Sequence, residues 1–332
     1  MKALAVFSVL TALLVAPSAG AHGIASKHLN PAVRGLPLGH LYLTDSGTGQ
    51  AGSGKLLQFD VVNGIAVEPG RVLLRGLHDP IGVAVGPDGL VYVAEAEYKW
   101  HAIDVYRVTG STVQLLRKMT FGDGFQPEPE YLAVDDQDYL YASMDLSNVA
   151  VFRPHQHGYV QRPHYLYNTG GAFEIGVDEL GDVYQPTLNT MYVHPGRPGK
   201  TARAGTRPVV PAQRGWSTLM FARAYGRELF VGTGTRSRSW ISVGVLPIHT
   251  WGHVSLKRYL ALERGCWTRL QIYGLAIAVA NGFLYEVCGY INRSNQYIRR
   301  IWTYRSTGDG PVRPLNVVRA DVWTPGDIAI GP

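Results

Sequence analysis

The chain has 332 residues, with 31 Lys and Arg against 25 Asp and Glu and only two Cys, so it is mildly basic. No Cys and His cluster stands at zinc-ligand spacing, which argues against a structural zinc site. Its 39 Gly and 20 Pro, many Val, Ile and Tyr, and lack of long helical periodicity point to an all-β protein of short strands.

Residues 1–21 read as an export signal: Lys2, an apolar core from Ala3 to Val15, Pro17 and the small-residue run "SAGA" ending at Ala21. The mature chain is then expected to begin at His22, with 22–37 as a short N-terminal segment and a net charge of about +5. The apolar core is too short to span a bilayer, and no later stretch offers about 18 uninterrupted apolar residues. The expected product is secreted, extracellular or periplasmic, with no membrane span.

The first strand candidate is "LGHLYLTD" from Leu38, followed by "GTGQAG" at 47–52 and "KLLQFD" at 55. The glycine run matches a dinucleotide fingerprint in letters only, because a strand follows where a helix N-terminus would have to hold the pyrophosphate. "GQAGSGKL" from Gly49 and "HPGRPGKT" from His194 each miss one residue of a phosphate loop. No nucleotide is expected.

"GVAVGPDGLVYVAE" from Gly82 is a strand, a turn and a second strand. The pattern returns as "LAVDDQDYLYASM" from Leu132, "IGVDELGDVYQPT" from Ile175, "FARAYGRELFVGT" from Phe221 and "IAVANGFLYEVC" from Ile277, with an aromatic in each second strand: Tyr92, Tyr141, Tyr184, Phe230 and Tyr285. The starts lie 49, 43, 46 and 56 residues apart, the period of a four-stranded propeller blade. "DIAIGP" from Asp327 is the first half of a sixth copy and "LGHLYLTD" is its second half. The fold expected for 38–332 is therefore a six-bladed β-propeller of four-stranded antiparallel blades, closed by the C-terminal strand joining the N-terminal blade. Third strands follow at 55, 102, 148, 190, 239 and 299; among fourth strands only "VQLLRKM" at 113 and "HYLYN" at 164 stand out.

Between the third and fourth of these copies, "GRPGKTARAGTR" at 196–207 carries Arg197, Lys200, Arg203 and Arg207 with no acid. It reads as a solvated loop or as an anion-binding patch for acidic polysaccharide, cell wall or extracellular DNA. "NRS" at Asn292 is a glycosylation acceptor if the source is a eukaryote.

These blade repeats resemble NHL-repeat propellers and the related six-bladed superfamily that includes gluconolactonase and strictosidine synthase. "SNVAVFRPHQHG" also resembles secreted bacterial repeat proteins of unassigned function. In such a blade, the loop leading into the first strand and the loop joining the second to the third share one face of the disc, here called the loop face. Cys266 and Cys288 both reach it, and an oxidising compartment favours their pairing; closing a loop of roughly 22 residues would be worth about 3 kcal/mol.

The same face gathers Asp79, Glu128, Glu130, Glu174, Asp327, Asp45, Glu95, Asp145 and Asn189. The gluconolactonase resemblance implies a divalent metal over the channel that polarises a lactone or ester and activates water, with Glu174, Asp327, Glu130, Asp145 and Asn189 as candidate ligands and calcium as the candidate ion. The chain departs from that family in lacking a Glu-Gly-Pro lead-in to the first blade. Its first reading is a monomeric secreted propeller that binds a small molecule, glycan or extracellular protein at the channel mouth or a disc face. The alternative is a calcium-dependent hydrolase or lactonase. Convergence of the acids would favour the enzyme; a mouth covered by residues such as Trp100, Trp216, Arg236 and Arg238 would favour binding.

Overall fold

The computed structural model describes residues 39–97, 101–120, 128–144, 148–155, 158–159, 163–166, 174–186, 191–195, 197, 218–234, 242–248, 258–262, 272–291 and 297–331. They form a six-bladed all-β propeller. Blade 1 is ordered Pro325–Gly331, His40–Asp45, Gly54–Val62, Ile65–Leu77 from channel to rim, so the C-terminal strand supplies its innermost member. The innermost strands of blades 2 to 6 are Pro80–Val85, Pro129–Val134, Gly176–Val177, Thr218–Tyr225 and Ile272–Ala280. Blade 4 shows three strands among the described residues. Blade 5 shows five, because Gly310–Val312 crosses from blade 6 to pair in parallel with Arg258–Leu262.

Alternation along the strands dictates the packing. Successive side chains of a strand point to opposite faces of its blade, so each blade feeds two different cores. Leu41 and Leu43 pack with Ala278, Tyr285 and Val287 of blade 6, whereas Tyr42 between them packs with Val83, Val91 and Val93 of blade 2. Each blade boundary has its own apolar cluster of this kind, and no single central core exists among the described residues.

The aromatic of the repeat is explained by the turn beneath it. Asp135 Oδ1 accepts from the N–H groups of Gln137 (2.8 Å) and Tyr139 (3.0 Å), and its Oδ2 accepts from the Tyr141 hydroxyl (2.9 Å). Asp178 repeats the arrangement with Leu180, Asp182 and Tyr184. A buried phenol needs a partner and a tight turn needs its N–H groups satisfied; one carboxylate does both. Burial, then the adjacent aspartate, pushes both phenols well up from their ordinary value. In blade 6 the turn shortens to Asn281-Gly282, both at positive φ, the two-residue hairpin that matches strand twist.

Ring closure is hydrogen-bonded through side chains as well as strands. Tyr42 pairs with Ala329 and Leu43 with Ile328. Asp45 is fully buried and accepts from the N–H groups of Gly47 (3.0 Å), Trp323 (2.8 Å) and Thr324 (2.8 Å), while Lys55 Nζ lies 3.4 Å from it. The Thr44 hydroxyl accepts from the Asp327 N–H (2.8 Å) and donates to the Ile81 carbonyl (2.7 Å), stitching blade 1 to blade 2. A Cβ at Gly326 would meet that carbonyl at 2.5 Å, so the seam requires glycine there.

The expected third strand at 239–243 is placed at Ser242–Pro247. Cys266 and Asn292 lie outside the described residues, and Cys288 is described only as part of the Phe283–Ile291 backbone. No helix among the described residues is long and apolar enough to cross a membrane.

Candidate functional site

The channel is lined by residues of the inner strands, and at the level paired with the aromatic of each repeat five of the six positions are small and apolar: Ala84, Ala133, Gly176, Ala278 and Ala329. The sixth is Arg223. Its Nη2 donates to Asp327 Oδ1 (2.6 Å), its Nη1 to the Leu132 carbonyl (3.2 Å) and its Nε to the Ile277 carbonyl (3.0 Å), with Glu174 Oε1 2.5 Å from Nε. Asp327 also accepts from the N–H groups of Val83 (3.2 Å) and Ile328 (2.7 Å). One guanidinium and its two acids thus touch all six blades and cross the channel.

The charges of this hub are uneven. Asp327 holds two N–H donors and a donated guanidinium N–H, which suits an ionised carboxylate. Glu174 lies beside Nε, whose proton is directed at Ile277. Burial, with Asp327 adding to it and Arg223 opposing, raises the Glu174 carboxyl well above its ordinary range. Burial also raises Asp327, against the pull of Arg223. Burial alone would lower Arg223, but Asp327 and Glu174 outweigh it and hold the guanidinium above its usual value. Burial thus favours the neutral form of Glu174 beside the Arg223–Asp327 pair.

The metal set expected from sequence therefore divides. Glu174 and Asp327 do converge, but on Arg223. Glu130 is half-buried near Tyr131, whose phenol is raised by burial and then by Glu174, Asp327 and Glu130. Asp145 and Asn189 lie outside the described residues. Of the other loop-face acids, Asp45 clasps the closure, Glu128 lies 3.2 Å from His101, and Glu95 is buried 3.8 Å from Lys118. Among the described residues no three His, Cys, Asp or Glu side chains are arranged to hold a metal ion, and the donors that are described do not fit one.

On the opposite, turn face the channel widens into a cup. Val85, Val134, Val177 and Ala224 are common to channel and cup; Pro87 and Tyr225 form its wall, and Asp135, Asp136, Asp178 and Glu179 form its rim. Arg197, the first residue of the expected anion-binding patch, is bound into this rim. Its Nε donates to Asp135 (2.8 Å), and its Nη2 to Asp136 (2.7 Å) and the Glu179 carbonyl (3.0 Å). Arg197 is thus committed to acids of its own chain; Lys200, Arg203 and Arg207 lie outside the described residues. Four carboxyl groups stand in this rim, two of them bound to Arg197, so acids outnumber the arginine among its described residues. Glu179 is raised by burial, then by Asp136 and Asp178, with Arg227 opposing.

The hub is the feature that sequence reasoning missed, although one signal was present: aligned with its five apolar equivalents, Arg223 is the charged residue of the channel layer. The cup was missed because its acids occupy turns, where Asp is unremarkable.

No family model matches the chain, and no curated protein matches it. Solved structures do superpose. A protein from Lactobacillus plantarum has a TM-score of 0.58 at 12% identity, covering 88% of this chain and 99% of its own. TolB from Acinetobacter baumannii also has a TM-score of 0.58 at 12% identity, over 89% of this chain and 67% of that one. The likeness is one of fold. A gluconolactonase from Xanthomonas campestris reaches a TM-score of only 0.31 over 43% of this chain, too little to carry the gluconolactonase resemblance into the site.

Proposed function

We propose that the protein is an exported binding propeller that holds a small molecule or a protruding side chain of a partner in the turn-face cup, and that the bound group is cationic with an apolar stem. The observation that supports this most is the cup itself: an apolar floor with four carboxyl groups in its lining, two of them bound to Arg197. An apolar concavity with a few convergent charges is the general form of a small-ligand site. An apolar stem would rest on Val134 and Val177, and its charge would meet Asp136 and Glu179.

Calcium-dependent lactone or ester hydrolysis is the weaker reading. A cation at Glu174 and Asp327 would have to displace a guanidinium bound from both sides.

A thermal-shift panel tests the two readings together, using amines and amidines beside neutral isosteres, and calcium alone. The expected result is stabilisation by the cations, reduced in Glu179→Gln, with no Glu174-dependent response to calcium. Stabilisation by calcium that vanishes in Glu174→Gln would overturn the assignment in favour of the hydrolase.

A further inference from the structure

Arg227 is the second residue of the two-residue turn of blade 5, between Tyr225 and Glu228, which pair with each other. Gly226 ahead of it has a φ of 57°, the hairpin form that puts glycine first. The turn is held on both sides. Tyr225 donates from its hydroxyl to Asn281 Oδ1 (3.1 Å), Glu228 accepts from Arg258 (2.8 Å), and the Arg227 carbonyl accepts from the Ile248 N–H (2.8 Å). The Arg227 side chain is exposed, and among the described residues its guanidinium makes no hydrogen bond or ion pair. Arg223 and Arg197, by contrast, give their N–H groups to carbonyls and acids of the chain itself.

Tyr225 and Gly226 line the cup, so Arg227 stands at its blade 5 edge, with the acids contributed by blades 3 and 4. It is near enough to Glu179 to oppose the rise that burial, then Asp136 and Asp178, impose on that carboxyl. The edge of the cup is therefore dipolar. A ligand that is only cationic meets Asp136 and Glu179 but is repelled by Arg227. One that also carries a carboxylate satisfies both sides, because a planar guanidinium takes a carboxylate through two parallel hydrogen bonds. A side chain protruding from a protein partner brings a cation and a stem without such a carboxylate.

We propose that the ligand of the cup is a small zwitterion, an amino acid in the broad sense. Its cationic group meets Asp136 and Glu179, its apolar stem rests on Val134 and Val177, and its carboxylate binds Arg227. The proposal rests on the reading of the cup as a cation site and selects, of the two occupants named for it, the free small molecule.

The test is titration of the full chain with 4-amidinobenzoate, with 4-amidinobenzamide, which has the same shape and no negative charge, and with benzamidinium. 4-Amidinobenzoate should bind about tenfold more tightly than the other two. Arg227→Gln should remove that advantage without weakening benzamidinium, and Arg227→Lys, which keeps the charge and loses the fork, should retain part of it. Both substitutions fall on an exposed turn side chain, where the fold tolerates change. Equal affinity of the three compounds for the parent would overturn the zwitterion and leave the cation reading standing, and so would an advantage of the carboxylate that survives in Arg227→Gln. Binding of none of the three would overturn both.

Discussion

The channel hub and the turn-face rim are both built from one arginine and several acids, yet they are suited to opposite tasks. In the hub, Arg223 meets two fully buried acids, its remaining N–H groups go to blade carbonyls, and burial favours the neutral form of one carboxyl, which brings the charges toward balance. In the rim, Arg197 binds the carboxylates of Asp135 and Asp136 and the Glu179 carbonyl, Asp136 and Glu179 keep access to water, and the acids outnumber the arginine. A neutral buried cluster holds blades together, and a charged, wetted one can hold something else. The ratio of acids to cation and the access of water separate the two, more than residue type does.

The largest effect expected from breaking this comparison is at Arg223. Arg223→Met strands two buried carboxyls, and urea unfolding should show a loss of about 3–5 kcal/mol. Arg197→Met should cost less, about 1–2 kcal/mol, because Asp135 keeps two turn N–H groups and the Tyr141 hydroxyl. Equal losses would mean that the rim is as structural as the hub.

The next effect depends on pH. Glu174 has a folded-state pKa raised above its unfolded value, so its protonated form favours the folded chain. That contribution is fully present below the unfolded pKa, near the ordinary 4.5, and is lost as pH rises through the raised one. Glu174→Gln should therefore flatten the fall in stability with rising pH and leave the variant more stable than the parent at alkaline pH. A parent whose stability does not fall over that range would contradict the protonated hub. The smallest effect is at blade 6, where Arg319 stands directly opposite Arg300 on the neighbouring strand. Arg319→Ser should change the unfolding midpoint little and in the upward direction at low salt, through relief of like-charge repulsion.

How much of this was legible in the sequence follows from the range of the forces involved. The repeat was legible because alternation is local: nine residues separate Val83 from Tyr92 and Leu132 from Tyr141 whatever the rest of the chain does. Ring closure was legible for the same reason, and the pairing of Tyr42 with Ala329 agrees with the alignment of "AIGP" to "LGHLYLTD". Outer strands were not. Ile65–Leu77 and Asn316–Arg319 carry mixed exposure because one side of a rim strand meets water, which blurs the period of two. The site was least legible. Arg223 reaches Asp327 across 104 residues and Leu132 across 91, and Arg197 reaches Asp135 across 62, so only the closed ring brings these charges together. Location on the loop face correctly brought Glu174 near Asp327, but nothing local announced the arginine between them.

The most direct test of the binding assignment is calorimetric titration of benzamidinium and of neutral benzamide into the parent protein and into Asp136→Asn/Glu179→Gln. The account predicts heat from benzamidinium with the parent, weakening as pH falls through the raised pKa of Glu179, and little from benzamide or from the double variant. Equal binding of both compounds, or benzamidinium binding undiminished by the double substitution, would contradict it.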